Sequence, residues 1–202
     1  MTALTGRAAG IACLAWAAAF AGCSTATAGG ATSAVHSAVH GPVRSAALHS
    51  ARCAPAQLKL ARTGLVPEAT QQHTWVIGLR NTGAARCVLD GYPGITLLDS
   101  HRARLPYSVH RGGDQMLTSA APMPVWLAPG GTAYFGINKN ACIARSTDLA
   151  TVIRVIPPGA RTALTLTAPS QRIMDYCGRG AVGSVVSITP VEPGIAAVLA
   201  RH

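Results

Sequence analysis

From Cys53 onward the apolar residues fall in short runs, mostly at every second position, and each run stops at a turn signal. That period and that punctuation predict half-buried β-strands. Leu58 and Leu60 alternate about Lys59, and Trp75, Ile77 and Leu79 share one face of a strand that stops at Asn81-Thr82-Gly83. Residues 87–89 precede the turn Gly91-Tyr92-Pro93-Gly94, where glycine suits positive φ and proline fixes its own φ. Further strands are predicted over 95–98, 125–127, 133–137, 152–156, 163–167 and 185–189. No helical period separates them, so parallel βαβ units are excluded and the fold class is all-β, an antiparallel sandwich of about eight to ten strands. Trp75 is expected in its core.

The segment before Cys53 has a different pattern. Residues 1–22 read as an export signal, with Arg7 followed by an apolar stretch over 8–20 and then small residues. The apolar stretch is short for a membrane span. Phe20-Ala21-Gly22-Cys23-Ser24 looks like a bacterial lipobox, with Phe20 standing where an aliphatic residue is usual, so Cys23 is expected to carry diacylglycerol as the mature N-terminus. Secretion by cleavage after Ala26-Thr27-Ala28 is the competing expectation. Residues 23–52 read as a flexible Ala/Ser/Thr linker, and residues 193–202 as a C-terminal tail. His36 and His40 lie within a short Ser-Ala-Val-His repeat, whose low complexity and following Gly41-Pro42 argue against a helical metal site.

The net charge is +10, from 17 cations against seven acids, and only two of the cations are lysines, Lys59 and Lys139. They are scattered singly with no aromatic interleaving, which argues against nucleic acid as the partner. Attraction to an anionic envelope surface is the milder inference.

Of six cysteines, Cys13 falls in the signal and Cys23 at the lipobox, leaving Cys53, Cys87, Cys142 and Cys177. In an exported chain four cysteines imply two disulfides with three connectivities open. Sequential pairing, Cys53 with Cys87 and Cys142 with Cys177, closes two loops of near-equal length, each contributing roughly 3 to 4 kcal/mol, and is the expected arrangement. No Cys-x-x-Cys occurs, which removes thioredoxin-type redox chemistry and the usual zinc-knuckle spacing.

As an ordered set, Leu79-Arg80-Asn81-Thr82-Gly83, Cys87-Val88-Leu89-Asp90-Gly91-Tyr92-Pro93-Gly94, Leu127-Ala128-Pro129-Gly130-Gly131-Thr132-Ala133, Cys142, Val155-Ile156-Pro157-Pro158-Gly159 and Cys177 resemble the actinobacterial DUF4232 family of exported proteins and lipoproteins. The resemblance covers residues 53–192. It implies an immunoglobulin-like β-sandwich outside the cytoplasmic membrane, and it carries no established activity.

Neither a Ser-x-x-Lys nor a Gly-x-Ser-x-Gly nucleophile motif is present. Asp99 and Asp114 are the carboxylates at the border of and within the one long irregular stretch, residues 100–124, with nothing in the sequence to fix their separation. That stretch is the candidate binding loop, with His101, Arg102, Arg104, Tyr107, His110, Arg111 and Met116 as a contact set for an anionic partner. The reading that follows is a noncatalytic module, tethered to the membrane through Cys23 or secreted, with no cofactor and with an envelope component or envelope protein as partner. A copper-binding protein using His101, His110, Met116 and Met123 is the alternative, and a cell-wall hydrolase comes third.

Overall fold

The structure, a computed structural model, describes residues 51–66, 71–144, 148–168 and 174–200. The signal, Cys23, His36, His40 and all of the linker before Ala51 lie outside them. Ten strands run through the described residues: β1 (Leu58–Leu65), β2 (Gln72–Asn81), β3 (Cys87–Leu89), β4 (Gly94–Leu98), β5 (Ser108–Arg111), β6 (Val125–Leu127), β7 (Thr132–Asn140), β8 (Val152–Ile156), β9 (Leu164–Thr167) and β10 (Val185–Ile188). They form a five-stranded sheet β1-β2-β7-β10-β5, a two-stranded sheet β3-β6 and a three-stranded sheet β4-β8-β9. All strand pairings are antiparallel, as expected, except β5 with β10, which is parallel. The fold is an all-β sandwich.

Alternation in the two long central strands decides which face looks inward. In the β2/β7 register, Trp75 lies opposite Ile137, Ile77 opposite Phe135 and Leu79 opposite Ala133. All six are buried in one core with Leu97, Ile153 and Val155 of the three-stranded sheet and Leu89, Val125 and Leu127 of the two-stranded one. Because side chains alternate across a strand, the intervening pairs Gln72/Asn140, Thr74/Asn138 and Val76/Gly136 occupy the other face of the same sheet.

That outer face has a small apolar cluster of its own. Leu117 and Val198 pack beside Val76, with Met116, Tyr134 and Leu199 against them. Gly136 makes the approach feasible, since a Cβ there would lie 2.5 Å from Leu117 Cδ2 and 2.7 Å from Val198 Cγ1. The C-terminal segment, expected as a tail, is therefore part of the fold: a single helical turn, α1 (Ile195–Val198), ends with Val198 fully buried. The Thr118 N–H donates to the Val198 carbonyl, and the Ala200 N–H to that of Met116.

Residues 100–124 are not one loop. Asp99 Oδ1 accepts the N–H groups of His101 and Ala103, closing a turn at the end of β4. Leu105 and Tyr107 then enter the core, β5 pairs with β10, and Asp114 organises a second turn. Strand β5 escaped the periodicity reading because all four of its side chains are exposed, so no apolar alternation marks it. Tyr107, assigned to the contact set, is a core residue: its hydroxyl donates to the Met174 carbonyl at 2.9 Å, and its ring meets Tyr176 edge to face at 5.2 Å.

Burial, reinforced by Asp175, raises the Tyr107 pKa. In the unfolded chain the phenol ionises at about pH 10, so above that pH the unfolded state releases its proton first and stability falls as pH rises. Tyr107→Phe is expected to cost about 1–3 kcal/mol at neutral pH, because the Met174 carbonyl loses its donor. Denaturation series at several pH values should show the gap between variant and parent shrinking above about pH 10. A gap independent of pH would contradict the assignment.

Candidate functional site

The polar pairs on the outer face of the five-stranded sheet converge at one end of it. Three strands supply them by simple alternation: Gln72 and Thr74 from β2, Asn138 and Asn140 from β7, and Ser187 from β10, which stands opposite Asn138. The turn after β5 brings Asp114 over the same end. All of them but Thr74 border an open groove of ≈ 480 Å³, whose wall is completed by Gln115, Gly180, Val182 and Val185. That volume lies within the range of about 300–1,000 Å³ usual for small-molecule sites.

The floor of the groove is a connected network centred on Asn138, which is 2% exposed. The Thr74 hydroxyl donates to Asn138 Oδ1 at 2.7 Å, and Asn138 Nδ2 donates to Gln72 Oε1 at 2.7 Å and to Asp114 Oδ2 at 2.8 Å. Gln72 Nε2 donates in turn to Asn140 Oδ1. Asp114 Oδ1 accepts the N–H groups of Met116 at 2.8 Å and Leu117 at 3.0 Å, which fixes the carboxylate over the sheet. Each side chain of this network is held by at least one neighbour, so the groove presents a preformed polar surface.

Beneath the groove lies Lys139, whose side chain points to the opposite face from Asn138 and Asn140. It is fully shielded from solvent and forms an ion pair with Asp175 at 2.7 Å. Burial lowers its pKa, and the hydrogen bond and charge of Asp175 oppose that shift. The ammonium also lies 3.7 Å from Cys177 Sγ and 4.0 Å from Cys142 Sγ. These two sulfurs form a disulfide that ties the end of β7 to the segment before β10. Gly183 packs so closely on it that a Cβ there would lie 2.3 Å from Cys177 Sγ. The groove wall around Val182 is thus anchored to the disulfide.

Two disulfides, the ordered glycine turns and the sandwich recur together as one pattern along the chain. The chain belongs to the DUF4232 family, described as a domain of unknown function. The match spans residues 53–192. No curated protein and no solved structure matches the chain. Both disulfides of the DUF4232 domain follow the sequential pairing, Cys53 with Cys87 and Cys142 with Cys177. Gly91 and Gly130 of its turns adopt positive φ, 111° and 79°.

The residues expected as a contact set are dispersed over the domain. His101, Arg102 and Arg104 are exposed around the turn that leaves the three-stranded sheet, with Arg104 bridging to Leu98. His110 and Arg111 are exposed on the edge strand β5. Met116 is half-buried against the outer apolar cluster, whereas Met123 is exposed. Among the described residues, the group of three His, Cys, Asp or Glu side chains whose ligand atoms share a neighbourhood is Cys142, Asp175 and Cys177, and its two sulfurs are bonded to each other. His101 and His110 enter no such group. Asp99 and Asp114 each serve as an acceptor for turn N–H groups.

Asp114 is the part of the stretch 100–124 that reaches the groove floor. Gln72, Asn138, Asn140 and Ser187 were missed by sequence reasoning, since single polar residues on separate strands form no motif. The available signal was the pair Asn138 and Asn140, two carboxamides two residues apart that continue the outward-facing alternation of an otherwise apolar strand.

Proposed function

We propose that this protein is a noncatalytic binding module of the cell envelope, tethered to the outer face of the cytoplasmic membrane through Cys23, and that the groove around Asn138 is its ligand site. The observation that carries the reading is the preformed carboxamide and carboxylate network lining an open groove. Such a network fixes the orientation of a ligand by hydrogen bonding. Two disulfides in so small a domain fit an oxidising compartment, in line with the export signal and lipobox of the sequence. The scattered arginines, among them the exposed Arg102, Arg104 and Arg111, favour residence at an anionic surface without forming a single site.

Cys23→Ala is expected to release the protein from the membrane or to block its processing, because diacylglycerol supplies two acyl chains and two hydrophobic signals suffice for stable anchoring. Metabolic lipid labelling checks this. Unchanged labelling in the variant would reject the lipobox, and a mature chain starting near Gly29 would indicate simple secretion.

A further inference from the structure

We infer that the groove takes a neutral polyhydroxylated ligand, a short oligosaccharide segment, an assignment of ligand class that rests on the binding-module reading. Hydrogen-bonding capacity is left over once the network is formed. Gln72 is 4% exposed, and one of the two N–H groups of its amide goes to Asn140. The other has no partner among the described residues and remains for a ligand. Asn140 uses its oxygen in that bond, and its two N–H groups have no partner among the described residues. Asp114 Oδ2 accepts one bond, from Asn138, and keeps acceptor capacity beyond it. The Ser187 hydroxyl, which can donate and accept, has no partner among the described residues.

The groove therefore offers donors and acceptors side by side, held in place by buried neighbours. Adjacent hydroxyls of a sugar present the same mixture, each one a donor and an acceptor. Charge narrows the class further. The Lys139 ammonium beneath the groove is shielded and committed to Asp175, so it offers no cation to a ligand. Among the described residues that line the groove, the solvent-facing charge is the Asp114 carboxylate, which opposes a phosphate or carboxylate ligand even in a chain of net charge +10. The wall adds apolar surface: Val182 is 69% and Val185 42% exposed, placing branched aliphatic groups where the C–H face of a sugar ring would pack.

The test is calorimetric titration of the purified full-length protein with chitotriose and maltotriose as neutral probes, and with tripolyphosphate and spermidine as charged ones. A neutral trisaccharide is expected to bind with an affinity unchanged between about 50 and 500 mM salt, as befits contacts without net charge on the ligand. Ser187→Ala and Asn140→Ala are each expected to weaken it about tenfold, which corresponds to about 1.4 kcal/mol. An unchanged melting temperature for Ser187→Ala separates lost contact from lost fold. Salt-sensitive binding of spermidine or tripolyphosphate with no trisaccharide binding would overturn the ligand class while leaving a binding groove. Silence from every probe would also overturn it. Retention on isolated envelopes that Ser187→Ala abolishes would then keep the binding-module reading alive, and retention indifferent to the variant would remove both.

Discussion

Lys139→Met is expected to destabilise the fold by about 3–5 kcal/mol, the usual consequence of removing one partner of a buried ion pair. The variant leaves the Asp175 carboxylate, with only 10% of its side chain exposed, without its cation. The pair itself is not a strong source of stability, since desolvating both ions offsets much of their attraction. A double variant, Lys139→Met with Asp175→Leu, is therefore expected to recover most of the loss. Urea denaturation of the parent, both single variants and the double variant forms the required cycle. Singles as stable as the parent, or a double no better than the worse single, would contradict the account. The pH dependence supplies a second sign. With the folded-state pKa of Lys139 lowered, the unfolded chain holds the proton more tightly as pH approaches about 10.5, so this lysine's contribution to stability rises there. Tyr107 acts in the opposite direction.

The second large effect belongs to the disulfide beside that pair. Replacing Cys142 and Cys177 together by Ser is expected to cost about 2–5 kcal/mol, the range for loss of a native crosslink from a small exported domain. The crosslink spans 35 residues and restrains both the end of β7 and the segment that carries Gly183 and Val182. The variant should therefore lower the urea midpoint and also weaken ligand binding at temperatures where the domain is still folded. Replacing Cys53 and Cys87 by Ser is the internal comparison. That bridge holds the segment before β1 to β3, where the Cys53 N–H donates to the Val88 carbonyl, and it does not line the groove. Its loss should lower stability without a separate effect on binding, and equal effects of the two pairs on binding would contradict the link between the wall and the Cys142–Cys177 bridge.

The strands that sequence reasoning located are those whose apolar residues face a core. Trp75, Ile77 and Leu79 announce β2, and Cys87 and Leu89 announce β3, because burial on one face imposes a period of two. Strand β5 has no buried side chain and is held by backbone pairing to β10, so its residues carry no periodic signal. The C-terminal segment was invisible for a related reason. Val198 and Leu117 pack on the solvent side of the sheet, at a spot made available by Gly136, and no local pattern encodes that long-range contact. The disulfide pairing was legible because four cysteines allow few connectivities and two loops of matched length are geometrically economical. The candidate site was not. Its groups come from β2, β7, β10 and the turn at Asp114, and they become neighbours only through strand order.

The central claim is that the groove around Asn138 receives an envelope ligand. The most direct measurement is amide chemical-shift mapping of the isotopically labelled Cys23→Ala protein during titration with enzymatically solubilised envelope glycans. The account predicts saturable shifts of the Gln72, Asn138 and Asn140 side-chain amides and of the Ser187 backbone, absent from the β3/β6 face that carries the exposed Trp126. Shifts confined to that face, or to the Arg102 and Arg104 turn, with the groove amides unmoved, would contradict it.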